Sequence, residues 1–119
     1  MLFESWHAHV YFDGKDSKNT ATILRKAIDI KFPEVVLGGW HYKAVGPHLG
    51  PMYQVAFKPD QFGVLVPWLV VKRNGLNILI HPNTKNSWSD HILHGFWLGE
   101  KLPLNEMRLK EMTNLDDNI

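Results

Sequence analysis

Trp6-His7-Ala8-His9-Val10-Tyr11-Phe12 is the stretch that decides the fold. Apolar and aromatic residues dominate it, and Asp13-Gly14 closes it with a turn, which is the pattern of a β-strand. Side chains alternate between the two faces of a strand. Ala8, Val10 and Phe12 therefore share one face, and His7, His9 and Tyr11 share the other. The first face is ordinary core. The second carries two imidazoles whose backbones stand about 7 Å apart, at a rise of about 3.4 Å per residue.

Working outward, Asp16 or Ser17 can cap a helix over 17–32, where Ala21, Leu24, Ala27 and Ile28 fall at helical spacing. Phe32-Pro33 ends it, since the residue before proline avoids the α region. Residues 35–42 read as a second strand, with Gly38-Gly39 as a bulge or a bend. Residues 48–57 read as a third, with Pro51 near its start because proline cannot donate to a ladder. Lys58-Pro59-Asp60 begins a second helix whose buried stripe is Phe62, Leu65, Val66, Leu69 and Val70; Pro67 should kink or restart it. Asn74-Gly75 stops that helix. Residues 76–80 are a short fourth strand, ended by His81-Pro82-Asn83. Residues 88–99 read as a short helical turn followed by an extended segment. Beyond Pro103 the chain is polar, with room for a helix about Met107 and Leu109.

Strand, helix, strand, strand, helix, strand is the split βαβ order, so the expected class is α+β, a ferredoxin-like βαββαβ sheet with both helices on one face. The first strand is expected at the centre, with the third parallel to it and the fourth antiparallel. The domain is expected to span 1–104, followed by a polar C-terminal tail over 105–119.

The 119 residues, 45% hydrophobic and 21% charged, suit one globular domain with a core of its own. The net charge of +1 comes from scattered basic residues, which argues against a nucleic-acid partner, since phosphate binding needs a basic patch. The chain has no cysteine, so disulfides, thiolate zinc sites and a cysteine nucleophile are excluded. No basic-then-apolar leader is legible, and the longest apolar run, near 62–71, is too short to span a bilayer. A cytoplasmic protein with no membrane partner is the expectation.

The histidines carry the functional reading. In the third strand Tyr53, Val55 and Phe57 suit the helix-covered face, which sends His48, Met52 and Gln54 to the open one. In the fourth, Leu76, Ile78 and Ile80 suit the core, which sends Asn77, Leu79 and His81 the same way. With the assumed strand directions, His7, His9, His48 and His81 fall at one end of the open face. Neighbouring strands are about 4.8 Å apart, so imidazoles on adjacent strands can reach one metal. His91 and His94 are three apart and would share a face of a helical turn, with Asp90 beside them to orient an imidazole or to ligate. An isolated H-x-H is weak, and each histidine alone has a bland explanation, such as satisfying a loop carbonyl. Convergence from separate segments carries the weight. His41, on the farther strand, reads as structural.

Four blocks together resemble the DOPA 4,5-dioxygenase family: Trp6-His-Ala-His-Val-Tyr-Phe12, Gly46-Pro-His-x-x-Pro-Met-Tyr-Gln-Val-Ala-Phe57, Leu79-Ile-His-Pro-Asn-Thr84 and Asp90-His-x-x-His-x-x-Trp-Leu-Gly99. The similarity covers about residues 5–104. It implies extradiol cleavage of a catechol such as L-DOPA by O2 at a non-haem iron(II); zinc or another divalent metal is the alternative expected in the purified protein. It also implies a homodimer whose sheets face each other in a dimeric α/β barrel-like arrangement. Burial of Tyr11, Met52 and Leu79 on the open face would be the physical reason to pair. Under that resemblance His9, His48 and His81 are the expected metal ligands, with His7 as substitute. His7 or His94 is the expected acid/base, positioned with Asp90, and Tyr11 or Trp97 would border the ring. A metal-dependent hydrolase or isomerase, and a non-enzymatic binding module for a small molecule or metal, are the alternatives on the same scaffold.

Overall fold

The computed structural model describes residues 3–113. Strand β1 (Trp6–Tyr11) runs through the middle of a five-stranded sheet, and helix α1 (Gly14–Lys31) follows it. Next come β2 (Val36–His41), β3 (Met52–Phe57), helix α2 (Pro59–Lys72) and β4 (Ile78–Pro82). A π-helical turn (Ser89–Leu93), β5 (Phe96–Leu98) and helix α3 (Glu106–Thr113) complete the described chain. The strands lie in the order β2-β3-β1-β4-β5, and every neighbouring pair is antiparallel. The fold is α+β, as expected.

The helix-covered face is the one read from alternation. Ala8 and Val10 of β1, Tyr53 and Val55 of β3, and Ile78 and Ile80 of β4 are fully buried against Ala21, Leu24 and Ile28 of α1 and Leu65 and Leu69 of α2. The Tyr53 hydroxyl donates to the Ala21 carbonyl at 2.9 Å, which ties β3 to α1. The register of β2 shifts between Leu37 and Trp40, so Gly38-Gly39 is an irregularity in the ladder. Helix α2 runs unbroken through Pro67, which faces solvent. The Gly63 carbonyl that loses its intrahelical donor there belongs to an exposed residue, where water can replace the bond.

Three expectations need correction. First, β3 runs antiparallel to β1, with Trp6 opposite Phe57 and Tyr11 opposite Met52. β3 is antiparallel to β2 as well, because the chain reverses across residues 42–51, so β2 is the strand that runs with β1. Second, β3 begins at Met52, and His48 precedes it. The Val45 and His48 backbones bond each other in both directions, at 3.1 and 2.9 Å, and close a two-residue turn at Gly46-Pro47. Gly46 takes φ 55°, the sign needed at the first central position of a II′ hairpin. Third, the face away from α1 and α2 is covered by the chain itself. Tyr11, Met52 and Leu79 are buried there, with Val45, Trp97, Leu102 and Leu104 packed on them. The exposed apolar surface that would have motivated pairing of two sheets is therefore absent among the described residues. The helix expected about Met107 and Leu109 is present as α3, whose Leu109 and Met112 are fully buried; residues 114–119 of the expected polar tail lie outside the described residues.

Candidate metal centre

Five imidazoles meet beneath the covering segments. His7 and His9 come from β1, and His81 from β4, where it sits directly across the ladder from His7. His48 arrives from the Val45–His48 turn, which is pinned over the face by a bridge to Leu104 and by the Asn105 N–H donating to the Pro47 carbonyl at 2.8 Å. His91 arrives from the π-helical turn, closed by the His94 N–H donating five residues back to the Ser89 carbonyl at 2.9 Å. That wider turn is followed at once by Gly95. A Cβ on Gly95 would stand 2.3 Å from the His91 carbonyl oxygen, so only glycine lets β5 start so close to it.

His9 is the hub. Its ring centroid lies 4.0 Å from His48, 5.1 Å from His81, 5.6 Å from His7 and 6.3 Å from His91. His81 and His91 are closer still, at 3.8 Å. His9, His48 and His81 are fully buried and His91 nearly so, while His7 keeps some exposure. Two sets of three have ligand atoms within 4.8 Å of one another: His7, His9 and His81, and His9, His48 and His91.

The hydrogen bonds prepare several of these rings to ligate. His81 Nδ1 donates to the Pro82 carbonyl at 2.8 Å, and His91 Nδ1 to the Ser87 carbonyl at 2.7 Å. Each bond fixes the tautomer and leaves Nε2 as the acceptor nitrogen of its ring, the outer contact common among metal-bound histidines. His48 Nδ1 meets the Tyr11 hydroxyl at 2.5 Å. His9 Nε2 lies 3.0 Å from His81 Nε2. The bond to Pro82 makes His81 the acceptor, so His9 donates, and its Nδ1 is left buried with no hydrogen-bond partner. His7 Nδ1 is in the same condition.

Such orphaned acceptors are costly in a dry interior unless something binds them. The ligand atoms of His7, His9 and His81, and those of His9, His48 and His91, lie within 4.8 Å of one another, so small ring movements would bring either set to the roughly 3.0 to 3.4 Å spacing of nitrogens on one ion. Burial also keeps three of the rings neutral, the form that ligates. It lowers the His7 pKa to about 4, with help from His91. It holds His9 and His81 well below the usual histidine range, and the neighbouring imidazoles add to the effect. The residues fit a divalent ion that prefers imidazole.

The expected site residues divide. His7, His9, His48 and His81 converge as read. His48 does so for a different reason, because its turn folds back over the sheet rather than because of strand direction. His91, outside the expected ligand set, belongs to the cluster. Its partner in that reading, His94, is exposed at the end of the turn, with its ring 6.3 Å from Phe3. Asp90 is fully buried, and its two carboxylate oxygens accept from the Thr84 N–H and hydroxyl at 2.6 and 2.7 Å. These bonds brace the 84–90 segment that carries His91. The π-helical turn, which the sequence pattern does not announce, decides which of the two histidines points inward.

A cavity of about 220 Å³ reaches the cluster at His91 and is walled by Ile92, Trp97, Leu102 and Leu104. A larger cleft, about 430 Å³, lies on the other side of Leu102-Pro103 and includes no histidine in its lining. It touches the cluster only through Tyr11.

Fold and site together define a class: a small antiparallel α+β domain that buries a metal-competent group of imidazoles between its sheet and the segments folded over it. The chain belongs to the Dopa 4,5-dioxygenase family, whose model matches residues 6–108. It is 46% identical to the crystal structure of a "putative dioxygenase" from Nostoc punctiforme, at a TM-score of 0.88, covering 92% of this chain and 94% of that one. It is 30% identical over 109 residues to a DOPA 4,5-dioxygenase from Amanita muscaria, covering 86% of this chain and 48% of the relative. It is 33% identical over 114 residues to an uncharacterized 21.2 kDa protein from Botryotinia fuckeliana, covering 89% of this chain and 62% of the relative. The chain thus spans about half to three-fifths of these fungal relatives. Among the described residues, no helix is long and apolar enough to cross a membrane.

Proposed function

We propose that this protein is an extradiol-type dioxygenase that opens the ring of a catechol such as L-DOPA with O2, at a histidine-held non-haem iron(II). The observation that carries the reading is the buried meeting of His7, His9, His48, His81 and His91 in a member of this family. A ferredoxin-like domain, a cytoplasmic location and a homodimer complete it. The strand order supports the first, and the second remains the expectation from the sequence. A dimer would use some surface other than the histidine face.

His9, His48 and His91 are the assigned ligands, because this set includes the one histidine lining the cavity. The ion would supply Lewis acidity and, as iron(II), the redox chemistry that lets a catecholate react with O2. The protein's part is to bind, orient and deprotonate. His7, which does not line the cavity, is the final acceptor of a catechol hydroxyl proton, reached through the neighbouring imidazoles of His9 and His81. It is neutral at pH 7, since burial lowers its pKa to about 4, and it is the member of the five with contact to solvent through which to pass that proton on. With His48 ligating through Nε2, its Nδ1–H donates to the Tyr11 hydroxyl, which fixes that ring. The apolar wall excludes water from the reacting end of the cavity.

The test is anaerobic reconstitution with iron(II), addition of L-DOPA, and admission of air. A yellow ring-opened product with matching oxygen uptake is expected, and His9→Ala should abolish both along with retained metal after dialysis. If no catechol supports oxygen uptake by the iron-loaded protein, the proposal is wrong.

A further inference from the structure

The cavity at His91 has a chemical polarity along its length. Its most buried lining residue is the His91 imidazole, which marks the inner end. Its walls are Ile92, Trp97, Leu102 and Leu104, and Trp97 is braced from behind by the Tyr11 ring at 5.6 Å in a stacked arrangement. Its remaining charged lining is Lys101 and Glu106, both exposed. Among the described residues neither of these two side chains is engaged in an ion pair. An apolar slot with a cation and an anion at its outer part, and a nitrogen base at its inner end, is complementary to a molecule that is aromatic at one end and zwitterionic at the other.

The larger cleft lacks this complementarity. Its charged lining is Asp13 and Glu100, two carboxylates with no cation among the lining residues. An anionic group would be repelled there.

We propose that Lys101 and Glu106 are specificity-determining residues that read the amino-acid end of a catechol amino acid. Lys101 binds the carboxylate and Glu106 the ammonium, while the ring lies against Trp97 with its hydroxyls toward His91. This deepens the dioxygenase reading and rests on it for the identity of the hydroxylated end. Neither residue takes part in the chemistry. Each adds binding energy remote from the reacting bonds and so sets which catechol is held in register.

The experiment measures binding with oxygen excluded, so that nothing turns over. Iron(II)-loaded protein is titrated by calorimetry with L-DOPA, dopamine, 3-(3,4-dihydroxyphenyl)propanoate and 4-methylcatechol. Lys101→Ala is expected to weaken the two carboxylate-bearing ligands about tenfold and leave dopamine and 4-methylcatechol unchanged; Glu106→Gln is expected to weaken L-DOPA and dopamine about tenfold and leave the other two unchanged. Lys101→Arg, which keeps the charge, should restore most of the L-DOPA affinity. The inference is overturned if either neutralising variant weakens all four ligands alike, if neither weakens any, or if the wild-type protein holds L-DOPA no better than 4-methylcatechol. Admitting air to the same samples separates this from the function itself. Selective binding without oxygen uptake would leave the two residues assigned and remove the dioxygenase. Oxygen uptake with 4-methylcatechol, with no selectivity at Lys101 or Glu106, would do the reverse.

Discussion

Acidification should unfold the metal-free protein in a range where most domains of this size are still near their greatest stability. An unfolded histidine titrates at about 6.5, whereas burial lowers His7 to about 4 in the fold. Between those values the unfolded chain takes up a proton that the folded chain refuses, so stability falls as the pH falls. The His7 contribution is complete above 6.5, is lost progressively below it, and is exhausted near 4. At about 1.36 kcal/mol per pH unit, that window is worth about 3 kcal/mol for His7 alone. His9 and His81 are lowered as well and act with the same sign. A total stability of about 5–15 kcal/mol is then largely consumed. Urea melts of chelator-treated protein, followed by tryptophan fluorescence, should lose at least about 3 kcal/mol between about pH 7.5 and 5, and His7→Gln should flatten the slope. Metal-loaded protein should resist, because a ligated ring cannot also take the proton. A change below about 1 kcal/mol in the metal-free protein over that range would refute the idea that these rings are buried uncharged.

Three further outcomes follow from the geometry. Gly95→Ala places a methyl group 2.3 Å from the His91 carbonyl oxygen, so the π-helical turn must move; a loss of about 2 kcal/mol or more in a urea melt, with lower retained metal, is expected. Asp90→Ala removes both acceptors of Thr84 from a fully buried position and should cost about 3 kcal/mol in the same melt, whereas an effect under about 1 kcal/mol would mean the 84–90 segment is held by other means. Tyr11→Phe deletes the hydroxyl that orients His48 and should weaken metal binding about tenfold or more in a competition titration with a chelator, while the melting transition of the metal-free protein moves by only about 1 kcal/mol.

The histidine face was legible in part for a local reason. Strand alternation is set by backbone geometry alone, so His7, His9 and Tyr11 had to share a side wherever β1 lay, and Met52, Leu79 and His81 had to match them once their strands paired beside it. The helical stripes of α1 and α2 were legible for the same reason. The covering of that face was not. Val45, Leu102 and Leu104 sit in segments without any period, so nothing local marks them as packing onto a sheet.

By itself, then, the sequence determined which side chains share a face, where the helices lie and that imidazole would be the chemistry on offer, because these follow from φ/ψ periodicity and side-chain identity. Only the tertiary structure decided strand direction, the fold-back that carries His48 to His9, and the choice of His91 over His94. Each of these depends on contacts between residues distant in the chain. A histidine three positions from another differs from it only in which way one irregular turn, held by Asp90 and released by Gly95, happens to point it.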